Sequence, residues 1–147
     1  MRKRTVALFA LLGIATASAG DPAIDKIEAK LFLTNTATLS DNVAADDVAL
    51  WNICCGGGES GSADDVLVIV TVKADPGASV EVPLKIEIHG ADGKVVASRN
   101  SEGIQVGETG LWSQAVYVQD TTCNALTIKA TLGAAIRTTA VSFRCGE

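Results

Sequence analysis

The sequence predicts an all-β protein: residues 20–147 as a single antiparallel β-sandwich of about seven to nine strands with Greek-key connections. Three observations predict it. Apolar and polar residues alternate with the strand period of two through most of this region. About eight such runs follow one another at near-regular spacing, separated by Gly, Pro, Asp and Asn. No stretch carries a sustained helical period, and neither an internal repeat nor a second domain is visible.

Taken in order, "KIEAKLFLT" (Lys26 to Thr34) opens the series, and an acidic, Asn-containing connection leads to "VALWNI" (Val48 to Ile53). The stretch from Asn42 to Asn52 is the one most open to a helical reading, with Asn42 as the cap. "GGGESGSADD" (Gly56 to Asp65) has the composition of a loop. "VLVIVTVKA" (Val66 to Ala74) is apolar on both faces. That marks either a central strand or an uncovered edge open to strand addition by a partner. "DPGA" (Asp75 to Ala78) is a turn, because proline presets φ and glycine accepts positive φ. "VEVPLKIEI" then puts Val80, Val82, Leu84, Ile86 and Ile88 on one face, with Pro83 suggesting an edge or a bulge. "HGADGK" (His89 to Lys94) closes a hairpin into "KVVASRN". "LWSQAVYVQ" (Leu111 to Gln119), "ALTIKATL" (Ala125 to Leu132) and "TTAVSFRC" (Thr138 to Cys145) complete the set.

The first nineteen residues read as an address. Arg2, Lys3 and Arg4 precede an apolar run from Val6 to Ala15, and Ala17-Ser18-Ala19 is a signal-peptidase site, so the expected mature chain starts at Gly20. Ten residues are too few to span a bilayer of roughly 30 Å, and no later segment is long and apolar enough to try. The expected location is therefore periplasmic or extracellular, with no membrane insertion once the signal is removed. Removing it leaves 147 − 19 = 128 residues, with 12 − 3 = 9 basic and 17 acidic side chains, a net charge of −8. Such a surface disfavours nucleic acid and anionic membranes.

Export governs the reading of the four cysteines, Cys54, Cys55, Cys123 and Cys145. Zinc needs two chelating pairs of the C-x₂₋₄-C type, which adjacent Cys54-Cys55 and the distant Cys123 and Cys145 do not supply. Two disulfides are expected, and three connectivities are possible. Side-chain parity favours one of them. Trp51, Ile53 and Cys55 share a face, as do Val141, Phe143 and Cys145, while Leu126 and Ile128 point inward and leave Cys123 on the opposite parity with Cys54. This favours Cys55–Cys145 inside the sandwich and Cys54–Cys123 near its surface. A strained Cys54–Cys55 ring with Cys123–Cys145 stays open beside it.

Nothing assembles into a catalytic constellation or a cofactor site. His89 is the single histidine and falls at a hairpin turn, where exposure to solvent is the expectation. "GESGS" does not match G-x-S-x-G and lies in no strand-to-helix turn. The loop acids Glu59, Asp64 and Asp65, and likewise Asp41, Asp46 and Asp47, lack the periodicity of a calcium loop. Trp112 is expected to pack into the core.

Short alternating strands behind an export signal, a "DGKVV" hairpin at Asp92 to Val96, and Trp51 close to a cysteine together resemble a bacterial immunoglobulin-like or fibronectin-III-like sandwich. The likeness covers most of residues 20–147 and implies the fold alone, since such folds host adhesins, chaperones, inhibitors and carbohydrate-binding modules. The expected function is that of an exported, non-enzymatic sandwich. It would be a binding or structural accessory protein of a bacterial envelope, with a protein or surface ligand as partner. The alternative is a small secreted hydrolase, or a hydrolase inhibitor, using its loops.

Overall fold

Period-two alternation becomes burial in a computed structural model that describes residues 20–44, 50–51, 63, 65–121 and 124–144. In strand β1 (Ala23–Leu33), Ile27, Ala29 and Leu31 are buried while the residues between them are not. Strand β4 (Asp65–Lys73) buries Val66, Val68, Val70 and Val72 completely on one face. Four antiparallel strands in the order β2-β1-β4-β9 make the first sheet, with β2 (Thr38–Leu39) at one edge and β9 (Leu111–Val118) at the other.

The second sheet runs β11-β10-β6-β7 and is also antiparallel. It comprises β6 (Leu84–His89), β7 (Val95–Ser101), β10 (Leu126–Leu132) and β11 (Ala135–Val141). Leu84, Ile86 and Ile88 of β6 and Leu126, Ile128 and Leu132 of β10 meet the valines of β4 in one hydrophobic cluster. Each such side chain contributes about 1.5–3 kcal/mol relative to exposure, so the two facing layers hold the fold together. The all-β sandwich-like fold read from the sequence is what the structure shows.

Two short pairs close the ends. β5 (Ser79–Val80) pairs with β8 (Ile104–Gln105), and β3 (Leu50–Trp51) pairs with β12 (Phe143–Arg144). The β3–β12 pair is parallel, an exception to the antiparallel arrangement the sequence predicts. At the β5–β8 end, Gly110 adopts φ 73°, and a Cβ there would stand 2.9 Å from the Ala74 carbonyl oxygen. Only glycine fits that approach.

The structure also redraws three sequence boundaries. "VEVPLKIEI" is not one strand: it divides into β5 and β6, and Val82 is exposed rather than inward. The reason is Pro83. β6 is hydrogen-bonded on both sides, by β10 and β7, so a residue without an N–H must precede it, and Pro83 marks neither an edge nor a bulge. "TTAVSFRC" divides at Ser142 into β11 and β12, and β11 starts three residues earlier than read, at Ala135. In the stretch most open to a helical reading, residues 42–52, Asn42 caps a short turn at Val43 and Ala44, its Oδ1 accepting from Ala44 N–H at 3.1 Å, while Leu50–Trp51 is a strand and residues 45–49 and 52 lie outside the described residues. Among the described residues no helix is long and apolar enough to cross a membrane.

Candidate functional site

β4, the strand the sequence offers as either centre or open edge, is central. β1 pairs with it on one side from Ala23 to Phe32 and β9 on the other from Leu111 to Val118. Its outer face carries Leu67 and Ile69, half-buried, in cross-strand rows Lys30–Leu67–Tyr117 and Glu28–Ile69–Ala115. A third row, Lys26–Thr71–Ser113, is polar, with Thr71 Oγ1 and Ser113 Oγ 2.9 Å apart and Lys26 Nζ 2.7 Å from Glu28. Strand addition at β4 is therefore excluded.

Among the described residues the two four-stranded sheets have four edges, and three are guarded. Along β1 the segment from Ser40 to Val43 takes up the outward backbone groups. Asn42 Oδ1 accepts from Ala29 N–H at 2.9 Å, Ser40 Oγ accepts from Leu31 N–H at 2.9 Å, and Val43 N–H donates to the Ala29 carbonyl at 2.7 Å. β11 carries Arg137, whose guanidinium crosses to the other sheet and donates to the Ile24 carbonyl at 3.3 Å and to that of Asp25. β7 carries exposed Arg99 and follows a register shift opposite Ile88/His89. Charges and irregularities of this kind block edge-to-edge pairing.

β9 has neither. Its eight residues, Leu111 to Val118, include no charge, no proline and no glycine. Among the described residues no strand pairs with its outer side. Ala74 N–H donates to the Gly110 carbonyl at 3.0 Å, which sets the phase of the β4–β9 ladder. The backbone groups of Trp112, Gln114, Val116 and Val118 then serve β4, and those of Leu111, Ser113, Ala115 and Tyr117 face the free side. Gln114 Nε2 reaches round to the Ala115 carbonyl at 3.1 Å, and Ser101 Oγ donates to Gln114 Oε1 at 3.0 Å, steadying the strand. Leu111 and Tyr117 stand exposed on the outer face at either end, at 41% and 45%. The Tyr117 hydroxyl donates to Asp65 Oδ2, which raises the tyrosine's pKa, and Asp65 Oδ1 accepts from Asp120 N–H at 3.1 Å. Trp112 packs partly buried against the core, as expected.

Cys54, Cys55, Cys123 and Cys145 all lie outside the described residues, as do Glu59, Ser60, Ser62, Asp64, Asp46 and Asp47. The neighbouring backbone is described: Trp51 pairs with Arg144, and Asn124 N–H donates to the Thr121 carbonyl at 2.9 Å. His89 ends β6 half-buried, with Nδ1 3.1 Å from the Gly93 carbonyl, so it pins its own hairpin. Glu87, on the same face, is held 2.8 Å from Lys85 Nζ, and that contact lowers its pKa. A shallow concavity of about 600 Å³ beside His89 is lined by Thr127, Lys129 and Thr138. A cavity of about 380 Å³ at the end of the sandwich includes Asp92, Asp120 and Asn124, with Asp92 held by Lys94 at 2.8 Å and its pKa lowered by that contact. Among the described residues no group of three or more His, Cys, Asp or Glu is placed to hold a metal.

The fold and this edge define a class, an all-β sandwich-like protein with one long, uncharged strand that no other strand pairs on its outer side among the described residues. No family model matches the chain, and no curated protein matches it. Among solved structures it is similar to part of the β-glucuronidase of Bifidobacterium dentium complexed with coumarin-3-O-glucuronide, at 17% identity and a TM-score of 0.44. The match covers 84% of this chain and 18% of that one, so the chain spans under a fifth of the enzyme's length.

Proposed function

We propose that the protein is an exported, non-enzymatic accessory protein of a bacterial envelope, and that it acts by presenting the edge of β9 to a partner. The observation that carries the reading is the uncharged outer side of Leu111–Val118, set against three edges that are covered or charged. Main-chain groups waiting in extended geometry recognise another extended chain without a deep pocket. An immunoglobulin-like layout supports it. Of the seven long strands, the first, second and fifth (β1, β4, β9) share one sheet and the third, sixth and seventh (β6, β10, β11) the other. In constant-type immunoglobulin domains the fourth strand covers the fifth. Here the fourth, β7, joins β6 instead, and among the described residues no strand pairs with the outer side of β9.

The test is a photo-crosslinking residue placed at Ser113 in the producing cell, with Thr131 on the outer face of the second sheet as control. Adducts at 113 and few or none at 131 are expected. Equal labelling at both positions, or none at either, overturns the reading.

A further inference from the structure

The open edge is suited to one occupant in particular. Resting on the proposed function, we propose that β9 pairs with β9 of a second copy of this chain, antiparallel and centred on Gln114, joining two four-stranded sheets into one of eight strands. The pattern of the strand is self-complementary about that residue. Centring on Gln114 sets Leu111 opposite Tyr117 of the second copy, and the two-fold axis repeats the pair with roles exchanged. The two large exposed side chains of the strand thereby cover one another on the outer face, an aromatic–aliphatic cross-strand contact. Between them the small residues Ser113 and Ala115 face each other, and Gln114 meets its own copy on the inner side.

The backbone agrees with this register. Ladder hydrogen bonds form between residues whose N–H and C=O face the free side. Those are Leu111, Ser113, Ala115 and Tyr117, and centring on Gln114 pairs each of them with another of the same set; the Ala115 carbonyl, which accepts from Gln114 Nε2, shares or exchanges that bond when the ladder forms. Shifting the centre by half a residue would set free-side residues against residues already bonded to β4. Charge points the same way. The chain carries a net charge of −5, so two copies repel over most of their surfaces, and β9 is a strip of eight residues without a charge. Asp120 adopts φ 50° and turns the chain out of the extended path just past the strand, ending the ladder before acidic residues enter it.

Sedimentation of the purified protein over a wide concentration range tests this, together with amide hydrogen exchange read residue by residue. The expected result is a reversible dimer, strengthened as salt is raised from tens to hundreds of millimolar. In the dimer, exchange at Ser113, Ala115 and Tyr117 slows at least tenfold, while Trp112, Gln114 and Val116 change little. Ser113→Lys places two like charges diagonally across the two-fold axis and should return the protein to monomer, with a modest fall in unfolding midpoint from loss of the Thr71–Ser113 hydrogen bond. The parity of the exchange pattern needs no variant, so it decides the matter even if Ser113→Lys fails to fold. A monomer at the highest concentration, or a dimer whose protection falls on β7 or β11, overturns the inference. A monomer that still gives heterologous adducts from position 113 removes self-pairing alone; absence of both dimer and adducts removes the proposed function with it.

Discussion

Tyr117 is the one tyrosine in the chain, so its ionisation can be followed without interference. Its hydroxyl donates to Asp65, a bond lost when the phenol deprotonates beside the carboxylate, and its pKa is therefore raised above the usual value of 10.0. A folded-state pKa above the unfolded one stabilises the fold fully below about pH 10, and the stabilisation is lost as pH rises through the folded value. Absorbance at 295 nm is expected to give a midpoint above that of free tyrosine, with Asp65→Asn moving it down toward the free value. An unchanged midpoint in Asp65→Asn would mean the contact is not made in solution. The single histidine shows the limit of residue-level reading. Its position at a hairpin was legible, but its bond to the Gly93 carbonyl depends on how the hairpin closes.

Strands were legible as runs, and their ends were not. Alternation placed β1, β9 and β10 to within three residues because each run changes sides at every step and one side is turned inward, and the hairpin at "HGADGK" placed β7. Where alternation continued past a geometric obstacle, the obstacle was visible in the sequence and its meaning was not. Pro83 stops β6 because that strand is paired on both sides, a fact about its neighbours rather than its composition. β4 shows the same limit and yields a test. Val70 is fully buried, whereas Leu67 and Ile69 lie half-buried on the outer face. Val70→Ala is expected to cost about 2–3 kcal/mol through the cavity it leaves. Leu67→Thr and Ile69→Thr together are expected to cost less, about 1–2 kcal/mol, since part of their area already meets water. Chemical denaturation compares them, and a larger loss from the outer-face pair would mean that face is covered more fully than these strands cover it.

At the scale of the whole molecule, two expectations from sequence stand as predictions of covalent structure. Mass spectrometry of protein recovered from the periplasm or medium is expected to show the loss of nineteen residues, leaving Gly20 at the N-terminus. Non-reducing peptide mapping of the same material is expected to find no free thiol and to join Cys55 to Cys145. Such a link closes a loop of 145 − 55 = 90 residues and stabilises the fold by about 4–5 kcal/mol in the chain-entropy picture. Cys54 joined to Cys55 would overturn the parity argument.

The sequence by itself determined the all-β class, the approximate strand set and the inward isoleucines of β6 and β10. Each of those follows from a local period of two beside a buried face. Only the tertiary structure decided that β4 is central and β9 exposed. "VLVIVTVKA" and "LWSQAVYVQ" are both strand-like runs, and nothing within either says which neighbours it will have. β4 is central because it pairs with β1 and β9, contacts between residues far apart in the chain, while β7 stays with β6 in the hairpin that "HGADGK" closes. The one local trace of this arrangement was the absence of charge, proline and glycine from Leu111 to Val118, which becomes meaningful only once an edge is known to lie there.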